Sequence, residues 1–331
     1  MKAMLLEKPA PIERSPLIRS DIPVPEPCTG QILIKVQACG VCHTDLHTVE
    51  GDLSLPVLPL VPGHQVVGRV EKRGLNTHRF REKDRVGVTW FFSGCGVCHF
   101  CMEERENLCP NARFTGYHVN GGYADYMVVP EESAFAIPEV FSDAEATPLL
   151  CGGVIGYRAL RLSEIKPGQR LGLYGFGNSA HVVIQVATKM ECRVFVFTRS
   201  ALHRKLSEDL GAAWVGTAEE LPPEPLDGSI IFAPAGTLVP HALRALNKGG
   251  TLALAGITMS PIPELDYSLI YGERTMRSVA NTTRRDAAEL LEVAAEIPIR
   301  TVVDTFPLEE ANSVLRMMKD SALQAGAALI P

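Results

Sequence analysis

Up to about residue 150, apolar side chains alternate with polar ones in short runs, at 31–38, 66–74 and 84–90. Proline and glycine turns separate these runs, and 13 of the 24 prolines fall in this stretch. Such a pattern predicts an antiparallel, barrel-like β domain with long loops. Near residue 167 the rhythm changes. A strand, a glycine-rich turn, a helix and a second strand follow through 200, with Val182, Val183, Val186, Ala187 and Met190 on one helical face. A charged helix (202–210), a strand (229–234), a helix (239–247) and a strand (250–257) come next. Alternation of this kind predicts a parallel sheet with helices on both faces. The tail reads as a helix (286–296), a strand from 300 and a helix (309–320). The expected fold class is α/β.

The 331 residues suffice for two domains and a sizeable core. Net charge is −6 and no long basic run occurs, which argues against a nucleic-acid or anionic-membrane surface. Charges at Glu7, Lys8, Glu13 and Arg14 interrupt any signal-peptide core, and no apolar run reaches membrane-spanning length. A cytoplasmic protein is expected. Of nine cysteines, six are grouped, which in a reducing compartment points to metal or catalysis rather than disulfides.

Three stretches carry chemistry. Gly175-Phe176-Gly177-Asn178-Ser179-Ala180 follows an apolar strand and opens a helix. One glycine permits the tight turn, the next lets a pyrophosphate approach, and a small third residue lets the helix pack. The helix N-terminus then faces the phosphates. At the end of the next strand an acidic residue would favour NAD; Thr198-Arg199-Ser200 stands there instead, so NADP(H) is favoured over NAD(H). The second stretch places Cys95, Cys98, Cys101 and Cys109 at spacings that can close around one tetrahedral zinc. That metal would be structural; an iron–sulfur cluster or a redox switch is the alternative. The third, Ala38–His47, holds Cys39 and Cys42 with two histidines, a threonine and an aspartate. From the residues alone it could be a redox dithiol, half a zinc clamp or part of a catalytic site.

Taken in order, "CGVCHTDLH", "PGHQVVGRV", the four-cysteine loop, "GGYADYMVVP", "PLLCGGVIGYRAL" and the glycine-rich turn resemble a zinc-dependent alcohol dehydrogenase of the medium-chain dehydrogenase/reductase superfamily. The resemblance spans essentially the whole chain. It implies a GroES-like catalytic domain (1–152 and 285–331), a Rossmann cofactor domain (153–284) and a site in the cleft between them. Homodimers or homotetramers are usual. It also implies two zincs per chain and a small alcohol or aldehyde as substrate.

The resemblance further implies that Cys42, His64 and Cys151 hold a catalytic zinc, leaving a fourth position for water or alcohol. Two thiolates cancel the metal's charge, and the remaining Lewis acid would lower the alcohol's pKa and steady the alkoxide. Asp45 would fix the tautomer of a ligand histidine, although an aspartate there also suits a helix start. Thr44 would take the alcohol proton and His47 would pass it on, since imidazole as a class titrates near neutrality. His43 would approach the pyrophosphate. Trp90 would form an aromatic wall of the alcohol pocket, and Leu53 would leave room for longer or aromatic alcohols. Three departures from the family pattern stand out: Gln65 for the usual glutamate, Ile155 for a threonine, and Ala327 for an arginine. The rival readings are a zinc-free quinone or enoyl reductase, a non-enzymatic zinc-loop binding protein, and a thiol redox protein using Cys39 and Cys42.

Overall fold

The structure, a computed structural model, describes residues 1–297, 299–323 and 326–331. The chain divides into two compact units, Met1–Cys151 with Asn281–Pro331, and Gly152–Ala280.

The first unit is built on a seven-stranded sheet. Its axis is the long strand Gln31–Val41, which pairs antiparallel with Gln65–Arg73 along one edge. Its other edge is shared by Tyr126–Pro130 at one end and Gly326–Ile330 at the other. Arg85–Val88 and Ala134–Ala136 extend the sheet. Ile32, Ile34, Val36, Val66, Val70, Val86 and Val88 close the core. One pairing in this sheet, contributed by the C-terminal tail, is parallel. Val303–Pro307 runs parallel to Gly326–Ile330, and helix Ala311–Lys319 lies between them in sequence. A parallel pair needs such a crossover, whereas alternation alone does not encode strand direction. A short ladder, Phe91–Ser93 with Arg113–Phe114, closes the neck of the four-cysteine loop.

The second unit has six parallel strands, ordered Trp214–Gly216, Arg193–Phe197, Arg170–Tyr174, Leu226–Ile231, Leu246–Leu254 and Thr275–Ser278. In chain order this is 3-2-1-4-5-6, the doubly wound dinucleotide-binding arrangement. Helix Asn178–Lys189 buries Ala180, Val182, Val183, Ile184, Val186 and Ala187. Each of its buried Val or Ile side chains contributes about 1.5–3 kcal/mol. Met190, expected on the same face, is the half-buried C-cap. Helix Ala201–Asp209 buries only Ser207, as its charge pattern predicts for a surface helix.

Candidate active site

Strand Gln31–Val41 delivers Cys42 to the start of helix His43–Glu50. Cys42 is the N-cap, and its sulfur accepts the Thr44 N–H at 3.3 Å. His64 sits just before strand Gln65–Arg73, whose first residue lies opposite Gly40. Cys151 follows the helical turn Thr147–Leu150. Three positions far apart in sequence thus meet. Nε2 of His64 lies 3.3 Å from the sulfurs of both Cys42 and Cys151, which are 3.9 Å from each other.

These distances test the fit of a metal. With bonds of about 2.3 Å to sulfur and 2.0 Å to nitrogen, a tetrahedral zinc has ligand–ligand edges of roughly 3.8 and 3.5 Å. The observed triangle matches them. The sulfur of Cys151, then burial, pushes the Cys42 thiol well above its usual value. Two thiolates this close need a cation between them.

Asp45 performs two tasks with different oxygens. Oδ1 accepts from Nδ1 of His64 at 2.9 Å, and Oδ2 accepts the Cys42 N–H at 2.9 Å, closing a capping box. The first bond leaves Nε2 of His64 aimed at the sulfurs. Burial opposes a charge on His64, but Asp45 and then Cys42 outweigh it and raise the imidazole well above its ordinary value. Cys39 is fully buried and stands outside the ligand triangle. Gln65 is 4% exposed, and its amide nitrogen has no hydrogen-bond partner.

Thr44 is half-buried in the first turn of the helix, His43 is exposed, and His47 lies one turn further on. Nδ1 of His47 is 2.7 Å from Oδ2 of Asp52, a partner the sequence reading missed. Gly51 ends the helix in the left-handed conformation (φ 86°), and the chain doubles back so that the N–H groups of 51, 52 and 53 all reach the His47 carbonyl. A glycine followed by a short acidic residue after the helix was the available signal.

Trp90 meets His64 edge to face at 4.9 Å between ring centres. It stacks on Phe114 at 5.4 Å and leans on Tyr117 at 5.7 Å. The Tyr117 hydroxyl donates to the Ser54 carbonyl at 2.7 Å, beside the half-buried Leu53. The histidine of the triangle is therefore flanked by an aromatic cluster.

Cys95, Cys98, Cys101 and Cys109 form the second convergence, all four sulfurs lying within 4.8 Å of one another. Backbone N–H groups of Cys95 and Asn111 donate to the Cys109 sulfur, and that of Cys98 to the Cys95 sulfur, each at 3.4 Å. The Val97 N–H, then that of Cys98, hold the Cys95 thiol down to about 6. Burial, only partly offset by the Gly96 N–H, pushes Cys101 up to about 12. Four sulfurs make a complete tetrahedral set with no open position.

In the second unit, Gly175 takes φ 86°, and a Cβ there would press on Ala233 at 3.1 Å. Gly177 faces open space and caps helix Asn178–Lys189 without a side-chain hydrogen bond. The first N–H groups of that helix have no intrahelical partner, and no atom lies within 4 Å of where a Gly177 Cβ would stand, so the backbone there is open to an anionic group. Phe176 is buried and Ala180 fully so.

Beyond strand Arg193–Phe197, Thr198 is nearly buried, Arg199 is exposed, and the Ser200 oxygen accepts the His203 N–H at 3.3 Å to cap the next helix. Arg204 Nε donates to the Thr198 carbonyl at 3.2 Å. The sequence reading placed no acidic residue here. The structure brings up Glu219, whose carboxyl is lowered mainly by a backbone hydrogen bond and slightly by Arg199. It arrives from beyond the neighbouring strand Trp214–Gly216, twenty residues later in sequence, and so escaped a local search.

Ile155 is half-buried in helix Gly152–Leu162, and Ala327 is buried opposite Val41. No helix among the described residues is long and apolar enough to cross a membrane.

The chain matches the alcohol dehydrogenase GroES-like domain over residues 29–139 and the zinc-binding dehydrogenase domain over 180–296. It is 44% identical to the probable alcohol dehydrogenase AdhA of Mycobacterium tuberculosis (strain CDC 1551 / Oshkosh), covering 100% of this chain and 97% of the relative. An alcohol dehydrogenase of Geobacillus stearothermophilus is 35% identical, with 96% of each chain covered. Among solved structures, a cinnamyl alcohol dehydrogenase from Sorghum bicolor superposes with a TM-score of 0.88 at 25% identity, covering 99% of this chain and 97% of that one. The chain belongs to the zinc-type alcohol dehydrogenases of the medium-chain dehydrogenase/reductase superfamily. It is an NAD(P)-dependent oxidoreductase of that family, with the expected GroES-like and Rossmann folds.

Proposed function

We propose that the protein is a zinc-dependent alcohol dehydrogenase that interconverts primary or secondary alcohols and their carbonyl compounds, with Cys42, His64 and Cys151 as the ligands of the catalytic metal. The observation that carries this reading is the Cys42–His64–Cys151 triangle, braced by Asp45. Bound there, zinc supplies a Lewis acid that makes an alcohol easier to deprotonate. Gly175, Gly177 and Ala180 would hold the phosphates of a nicotinamide cofactor, which would supply the hydride acceptor.

The chain's own residues handle the proton. The Thr44 hydroxyl accepts it, and His47 conveys it outward. Asp52 holds Nδ1 of His47, so Nε2 is the nitrogen left to receive it. In this reading the first unit does the chemistry and the second holds the cofactor. The four-cysteine loop carries a second, structural zinc, and the protein works in the cytoplasm as a homodimer or homotetramer.

Two finer choices follow from side chains near these sites. The ring cluster of Trp90, Phe114 and Tyr117 beside His64 favours flat or extended alcohols over ethanol. Arg199 with Thr198 and Ser200 favours NADP(H). The experiment is a zinc count joined to aldehyde reduction assays with NADPH and NADH, and alcohol oxidation from ethanol to hexanol and benzyl alcohol. Two zincs per chain, carbonyl reduction and an NADPH preference are expected. Iron with visible absorbance, strict ethanol use or a clear NADH preference would each remove the corresponding part of the reading.

A further inference from the structure

The segment "GGYADYMVVP" was singled out in the sequence but has no part in the chemistry above. In the structure its first three residues clamp the chain just before His64. Gly121 N–H donates to the Val61 carbonyl at 2.7 Å, Gly122 N–H to Gly63 at 2.9 Å, and Tyr123 N–H to Pro62 at 3.0 Å. Gly63 adopts φ 95°, and any side chain there would overlap the Tyr123 ring and press on the Cys39 sulfur. A Cβ on Gly121 would in turn collide with the Gly63 carbonyl. The backbone that presents His64 is therefore moulded against the Tyr123 ring.

The phenol of Tyr123 is the unexplained group. The residue is fully buried, and its hydroxyl has no hydrogen-bond partner of good geometry. An enclosed hydroxyl left unpaired is costly, so such a group calls for an acceptor. Burial, then the Asp45 carboxylate, pushes the phenol well above its usual value, so it keeps its proton and remains a donor. Asp45 uses one lone pair on each oxygen, toward His64 and toward the Cys42 N–H, and retains capacity for another donor.

We propose that Tyr123 is a positioning residue of the metal site, its ring fixing the Gly63–His64 backbone and its hydroxyl serving as a further donor to Asp45 in the metal-loaded protein. The proposed chain runs Tyr123, Asp45, His64, of which the second link is the 2.9 Å hydrogen bond already described. It rests on the assignment of the triangle as a metal site and adds a layer behind it.

Tyr123→Phe keeps the ring and removes only the hydroxyl. Cobalt-substituted protein provides a readout independent of turnover. Added azide perturbs the visible bands of an ion with an open coordination position, while an ion closed off by four cysteines stays silent. Partners that orient a metal ligand are worth about 10–100-fold in affinity, and one layer further out we expect about 3–10-fold faster release of the azide-responsive cobalt to a chelator. In an Asp45→Asn background the same substitution should change release less than twofold, because the effect passes through the carboxylate. Unchanged release in Tyr123→Phe overturns the proposal, as does an equal effect with and without the Asp45 carboxylate. Wild-type protein without any azide-responsive cobalt would instead sink the metal-site assignment itself, so the two failures are distinguishable.

Discussion

The two sulfur clusters of the first unit solve opposite problems. The four-cysteine set comes from one 15-residue loop (95–109), whose neck is closed by a two-strand ladder. Its backbone N–H groups already point at the sulfurs, and its donor set is complete. The three-ligand set draws on residues 22 and 87 positions apart, and only the folded sheet brings them together. It has three donors and a histidine braced by Asp45, and in the proposed reading it would leave a coordination position free. A loop that carries its own ligands serves as a cross-link. A site that needs the whole fold to assemble can hold its ligands rigidly while keeping one face open for chemistry.

Substitutions can separate the two. His64→Ala should lower kcat/KM by about 10³-fold or more, since Lewis-acid stabilisation is worth several kcal/mol. It should remove one zinc and leave the other; loss of both would show that the clusters are not independent. Cys109→Ser should also remove one zinc, yet here the cost falls on stability. A cross-link over a loop of this length is worth about 3 kcal/mol. Thermal unfolding should register that loss while turnover per folded molecule stays within about threefold, well short of the factor a general base supplies. Abolished turnover in folded Cys109→Ser would break the division of labour.

Thr44→Val should slow alcohol oxidation by about 10²-fold, the usual contribution of a positioned proton acceptor. Zinc content should not change, and metal analysis alongside kinetics checks this. The smallest effect belongs to Cys39→Ala. Cys39 is buried close to the triangle without joining it, so removing its sulfur should cost about 1 kcal/mol of stability and no metal. Lost zinc in that variant would restore the paired-cysteine reading of residues 39 and 42.

The same contrast explains what the sequence could reveal. The four-cysteine loop and the glycine-rich turn are local devices, legible within a few residues. The doubly wound sheet was legible from its alternation of strands and helices. Cys42, His64 and Cys151 were legible only through family resemblance, because nothing in the spacing of three distant residues says they meet. Asp52 was missed because its role depends on the chain reversing at Gly51, and Glu219 because it belongs to the next strand's loop. The parallel pairing of Val303–Pro307 with Gly326–Ile330 was not legible at all, because a period of two is the same in either strand direction and does not name a partner.

The Cys42 sulfur both caps helix His43–Glu50 and forms a corner of the ligand triangle. With a metal held as proposed, Thr44 would be indexed to it through a single atom and two peptide units. An ion of different radius would shift that sulfur, and the first turn of the helix would travel with it. Replacing zinc by cadmium should then preserve the alignment of proton acceptor and ligand even as bond lengths grow. Any loss of rate would report the acidity of the ion rather than a broken geometry, which makes this helix start a natural ruler for comparing metals in one protein.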